Sequence, residues 1–123
     1  MKKVLIVDDC KEIRQLVTTT LDLGEFKVYE ANNGSKAVEM SQKHRPDLII
    51  MDIVMPGLFD GIEATRRIKT DSVTKKCQVI MLTGSHIDRR KESKEAGAID
   101  VLTKPFSPLD LIAKVEHILG ITI

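Results

Sequence analysis

A chain of 123 residues, 42% apolar and 30% charged, has the size and composition of one globular domain whose core needs neither disulfides nor a structural metal. Nineteen Lys plus Arg against eighteen Asp plus Glu leave a formal charge of +1, so no excess of basic charge points to direct nucleic-acid binding. The start meets acid at Asp8, too early for a signal peptide or a membrane span, and Cys10 and Cys77 are too far apart to suggest a zinc site or disulfide scaffold; a reducing, cytoplasmic setting follows.

Taken in chain order, short apolar runs alternate with amphipathic stretches. Lys3 to Val7 reads as a strand, and Lys11 to Leu23 as a helix with Ile13, Leu16, Val17 and Leu21 on one face. Asp9 and Glu12 have capping-box spacing at its start, and Gly24 stands where it would stop. Further strands are expected at Phe26 to Ala31, Leu48 to Met51, Val79 to Leu82 and Ile99 to Thr103. A nearly all-polar helix from about His86 to Ala96 ends at Gly97. The last helix, Pro108 to Leu119, opens with Ser107-Pro108 and closes at Gly120. Five βα units imply an α/β fold, a five-stranded parallel sheet with helices on both faces and every strand-to-helix loop on one edge.

That edge is where open α/β sheets bind ligands. The residues that end the strands are Asp8 and Asp9, Asp52, Thr83 and Lys104. Each has an ordinary explanation as a helix cap, a solvated strand end, a turn residue or a surface charge. Jointly they form a pattern, because all fall on the same edge. In the doubly wound strand order 2-1-3-4-5 the three carboxylates converge, and two like charges about 5 Å apart repel by roughly 3 kcal/mol at an effective dielectric near 20. Such a cluster calls for a hard divalent cation, and Mg2+ suits an all-oxygen set that includes a phosphate oxygen. With Lys104 as a fixed cation and Thr83 as a hydroxyl donor, the set has a place for a phosphoryl group that a carboxylate can attack in line.

The ordered markers Val7-Asp8-Asp9, Asp52-Ile53-Val54-Met55-Pro56 with Asp60-Gly61, Leu82-Thr83-Gly84, and Leu102-Thr103-Lys104-Pro105-Phe106 after Gly97-Ala98 resemble the receiver domain of two-component response regulators. The resemblance spans essentially the whole chain. It implies a flavodoxin-like sheet and a single receiver domain over residues 1–123. Asp52 would be the phosphoacceptor, charged by a sensor histidine kinase or phosphotransfer protein in a phosphorelay. Mg2+ would be held by Asp8, Asp9, Asp52 and the backbone carbonyl of Val54. Thr83 would be the switch hydroxyl, Lys104 the phosphoryl-pairing lysine, and Lys104-Pro105 a cis peptide. The domain would turn over no substrate, catalysing only its own phosphorylation and dephosphorylation, and would control an output protein or domain by changing conformation.

Several positions depart from the family pattern. Val101 stands where Tyr or Phe usually swings inward, and a stiff β-branched side chain offers neither ring nor hydroxyl. Transmission through Thr83 and the loop after it is then expected, rather than through position 101. Gly57-Leu58-Phe59 gives the loop before Asp60-Gly61 one extra residue, with Leu58 or Phe59 either contacting a partner or folding back on the core. The polar helix before Gly97 has little apolar surface to hold it, which suits either a switching element or a solvated helix held by ion pairs. Gly84 leaves the acyl phosphate open to water, so a short-lived phospho form is expected unless Val54 or Ser85 shields it. Asp100 and Lys114 lie where they could join a symmetric dimer through the fourth helix, fifth strand and fifth helix. Only Ile121-Thr122-Ile123 follow Gly120, which fits a stand-alone receiver or one part of a larger regulator. Two other readings stay open: a degenerate receiver-like interaction module, and an aspartate-nucleophile phosphatase, though the latter expects an acid two residues after the nucleophile, where Cys10 and Val54 stand.

Overall fold

Runs such as Val4-Leu5-Ile6-Val7 and Leu48-Ile49-Ile50-Met51 are apolar at every position, so a strand built from them must be covered on both faces. In the structure, a computed structural model that describes residues 1–22, 24–84 and 89–123, they are the central strands of a parallel sheet. The elements are β1 (Lys2–Val7), α1 (Lys11–Leu21), β2 (Phe26–Ala31), α2 (Gly34–His44), β3 (Leu48–Asp52), α3 (Gly61–Thr70), β4 (Gln78–Gly84), α4 (Arg90–Ala96), β5 (Asp100–Lys104) and α5 (Pro108–Leu119). The strand order is β2-β1-β3-β4-β5, every pair parallel. This is the doubly wound α/β architecture expected from the alternation.

Side-chain alternation sorts the core into two layers. Leu5, Val7, Ile49, Met51, Val79 and Met81 face Ala37 of α2, Ile62, Ala64 and Ile68 of α3 and Ala96 of α4. Val4, Ile6, Leu48, Ile50, Ile80 and Leu82 face Val17 and Leu21 of α1 and Leu111 and Val115 of α5. Each buried Leu or Ile contributes about 1.5–3 kcal/mol by leaving water. This two-sided burial fixes the strand register and so aligns the strand ends.

Local differences from the sequence reading have local causes. Helix α1 ends at Leu21, with Asp22 as its C-cap; residue 23 lies outside the described residues. Its N-cap is Cys10, which makes no side-chain cap, while Asp9 is exposed one residue earlier. The expected Asp9 cap therefore does not form, and Asp8 instead accepts the Cys10 N–H at 2.9 Å. Helix α5 starts as read, with Ser107 and Asp110 forming a reciprocal capping box. Strand β4 extends to Gly84 and β5 to Lys104, further toward the functional edge than their apolar runs. Helix α4 covers Arg90–Ala96 and stops at Gly97, whose φ of 111° suits only glycine. The expected earlier turn at residues 86–88 lies outside the described residues, as does Ser85. Among the described residues no helix is long and apolar enough to cross a membrane.

Candidate functional site

Register brings the strand ends together: Val7 lies opposite Met51, Asp52 opposite Leu82, and Gly84 opposite Lys104. The next residues along β1 and β3 are thus delivered to one edge. One carboxylate oxygen from each of Asp8, Asp9 and Asp52 lies within 4.8 Å of the others, the one such acidic group among the described residues. Asp8 is fully buried, Asp52 is 6% exposed and Asp9 is open to solvent.

Both oxygens of Asp8 are engaged. Oδ1 accepts the Cys10 N–H, and Oδ2 accepts from Lys104 Nζ at 2.8 Å. The same ammonium lies 3.4 Å from Asp52 Oδ2. Lys104 therefore bridges the two buried acids and partly offsets a repulsion that would otherwise stand uncompensated. Its own charge is opposed by burial, yet the hydrogen bond to Asp8 and the charges of Asp52 and Asp8 hold its pKa above the ordinary lysine value. Asp52 is less well compensated. Burial and the neighbouring Asp8 charge push its pKa up from 3.8 to about 6, against the pull of Lys104. Asp52 thus stands to gain from a further cation.

The donor set fits Mg2+. Mg2+ takes hard oxygen ligands, and three carboxylate oxygens already lie within 4.8 Å of one another. Val54 lies two residues beyond Asp52 with its side chain exposed. Thr83 is buried at the end of β4, its hydroxyl 3.4 Å from the Gly84 carbonyl. Lys104-Pro105 is cis.

The loop after β3 is held tightly despite its extra residue. Ile53 N donates to Leu82 O and Gly61 N to Ile53 O, at 3.0 and 2.8 Å. A Cβ at position 61 would fall on the carbonyl oxygen of Asp52, so only glycine fits there. Asp60 caps α3 by accepting the Glu63 N–H at 2.9 Å. Phe59 folds back against the core beside Gly34, with the Arg67 guanidinium 4.1 Å from its ring centroid, whereas Leu58 projects into solvent at 91% exposure. The fold-back reading of this loop holds for Phe59, while Leu58 is left free to meet a partner. Val101 is buried opposite Met81 in the layer that includes Ala96 and Ala98. Asp100 and Lys114, considered as dimer contacts, pair with each other within the chain at 2.7 Å.

Three arginines near this edge were not singled out as site residues in the sequence, although ion pairs were one reading of the polar helix that holds Arg89 and Arg90. Arg14 donates to the Asp8 backbone carbonyl at 2.8 Å while pairing with Glu30 at 3.1 Å. Arg89 joins Asp60 to Glu92, and Arg90 reaches Thr103 Oγ1 at 3.4 Å. An arginine among nineteen cations has no distinguishing neighbour pattern until the fold gives it partners.

Residues 4–116 match the family model described as the response regulator receiver domain. The chain is 39% identical over 119 residues to the phosphate regulon transcriptional regulatory protein PhoB of Pseudomonas aeruginosa, covering 96% of this chain and 52% of that one. It thus spans about half the length of that curated relative. Among solved structures, the chemotaxis response regulator CheY4 of Vibrio cholerae superposes with a TM-score of 0.89 at 36% identity, over 96% of this chain and 98% of that one. The receiver domain of the sensor histidine kinase PA1611 of Pseudomonas aeruginosa, which holds a magnesium ion in its active-site cleft, gives 0.87 at 28% identity, over 97% and 98%. With sheet order, acidic edge and family match in agreement, the chain belongs to the response regulator receiver family and is a phosphoacceptor signalling domain of two-component systems.

Proposed function

We propose that Asp52 is the phosphoacceptor of a single receiver domain spanning residues 1–123. It would take its phosphoryl group from a phosphohistidine on a sensor kinase or phosphotransfer protein. The observation that supports this most is the arrangement around Asp52: buried, its pKa pushed up to about 6, and flanked by two more carboxylates and a bridging lysine. In the transfer, an Asp52 carboxylate oxygen forms a bond to phosphorus as the P–N bond to the donor imidazole breaks, and the imidazole takes up a proton. Asp52 must be ionised to attack, so phosphorylation should fall as the pH drops through its pKa.

Asp8, Asp9, Asp52 and the Val54 carbonyl would hold Mg2+, which when bound neutralises charge on the phosphoryl oxygens. Lys104 leaves its bond with Asp8 and pairs with the phosphoryl group, and the Thr83 hydroxyl donates to another oxygen. Gly84 offers no side chain over the acyl phosphate, so hydrolysis should limit its life; a phospho form lasting many hours at neutral pH would contradict this. The output protein or domain then responds to the altered surface, in the cytoplasm, as monomer or homodimer.

The direct test is beryllofluoride or a small phosphodonor with Mg2+, read by intact mass and by 19F resonance. We expect one adduct per chain in the native protein and none in Asp52→Asn. An adduct that survives that substitution would overturn the assignment.

A further inference from the structure

Val101, buried opposite Met81, has neither a ring nor a hydroxyl to swing between the site and the surface. We propose that Arg89 is a positioning residue whose bond to Asp60 holds α4 in the unphosphorylated arrangement and is released when Asp52 is phosphorylated. The inference rests on the reading of Asp52 as phosphoacceptor.

Arg89 is bound at both ends. Its carbonyl accepts from the Ser93 N–H at 2.9 Å and the Ser93 hydroxyl at 2.8 Å, which starts α4. Its Nη2 lies 3.3 Å from Asp60 Oδ2 and 3.1 Å from Glu92 Oε2. The other oxygen of Asp60 caps α3, and the next residue, Gly61, donates to Ile53 O and packs on the Asp52 carbonyl. The route from Asp52 to α4 is therefore short: a close backbone packing, a helix cap and an ion pair.

Among the described residues, helix α4 has few other anchors, chiefly its two buried side chains and the contact of Arg90 with Thr103. It is seven residues long, has no side-chain cap and buries only Ser93 and Ala96, whereas α3 buries Ile62, Ala64 and Ile68. A bond of modest strength can then decide its position, because the competing burial is small. An ordinary surface arginine would pair within its own helix, as Arg89 does with Glu92; the reach to the cap of a different helix is what distinguishes this one.

The test titrates the full chain, with Mg2+, with beryllofluoride and follows amide hydrogen exchange of α4. The variants are Arg89→Ala, Asp60→Asn and the double substitution; asparagine keeps the α3 cap and removes only the charge. In the native protein beryllofluoride should speed exchange in α4. Each single variant should already exchange faster, show little further change, and bind beryllofluoride roughly two- to fivefold more tightly, since the released state no longer has to break the pair. The double variant should match the singles rather than add to them. Native affinity in the variants, or a native-sized exchange response in Arg89→Ala, would overturn the inference while leaving Asp52 as acceptor. Failure of the native chain to bind beryllofluoride would overturn both.

Discussion

Gly61→Ala should lower the stability of the chain by about 3 kcal/mol, the upper part of the range for overpacking in a tight interior. The new methyl would overlap the Asp52 carbonyl oxygen and press on the Asp52 carbonyl carbon and Ile53 Cα, at 2.9 and 3.0 Å. These are backbone atoms, so no side-chain rotation relieves the overlap. The loop after β3 has to shift, and with it the hydrogen bond from Gly61 N to Ile53 O. Urea unfolding measures the loss. Gly120→Ala is the comparison: its φ of 65° is also unfavourable for alanine, but nothing lies within 4 Å of the new atom, so about 1 kcal/mol is expected. Equal losses at the two positions would contradict the close approach at Gly61. Because the displaced group is the backbone of Asp52, the proposed phosphoacceptor, Gly61→Ala should also slow adduct formation under conditions where it remains folded.

Asp52→Asn should have the opposite effect on stability, raising it by up to about 3 kcal/mol near neutral pH without divalent metal. The folded carboxyl binds its proton more tightly than the unfolded one, with a pKa of about 6 against an ordinary 3.8. Every tenfold gain in proton affinity on folding is worth about 1.4 kcal/mol between the protonated and ionised forms. Since the pKa is raised, ionisation opposes folding above pH 6, and the native chain regains that stability as pH falls from about 6 to about 4. The asparagine variant has no such gain, so the two stability curves should converge toward about pH 4. Mg2+ should narrow the difference at neutral pH, stabilising the native chain by about 2.7 kcal/mol at roughly a hundred times its dissociation constant and the variant by less. A native chain whose stability is flat between about pH 4 and about pH 7 would contradict the electrostatic picture of the site.

Fold and site were not equally legible. Strand positions and the layered core followed from runs such as Leu48 to Met51, where apolar residues at every position require cover on both faces; the strand order came only with the resemblance to the receiver family. Asp8, Asp9, Asp52, Thr83 and Lys104 could be placed on one edge because parallel strands leave no choice about which end carries the loops. What could not be read was which atoms meet. The capping-box spacing of Asp9 and Glu12 was a local signal, and it lost to Asp8, whose buried carboxylate draws in the Cys10 N–H. Phe59 and Leu58 are adjacent apolar residues with no periodicity to separate them, and only the space beside Gly34 decides that Phe59 turns inward. Arg14 and Arg89 have partners distant in sequence, 16 and 29 residues away. No local pattern encodes such pairings.

The bond between Lys104 and Asp8 joins residues 96 positions apart, the end of β5 to the end of β1. Contacts of such separation carry a large loop-closure cost and form late. A chain emerging from the ribosome presents its acidic pair long before the lysine that neutralises it. The proposed phosphoryl site is therefore among the last parts of the molecule to be completed. An incomplete chain that lacks β5 has three carboxylates without their cation and should not accept a phosphoryl group, so readiness to receive a signal is tied to having finished folding.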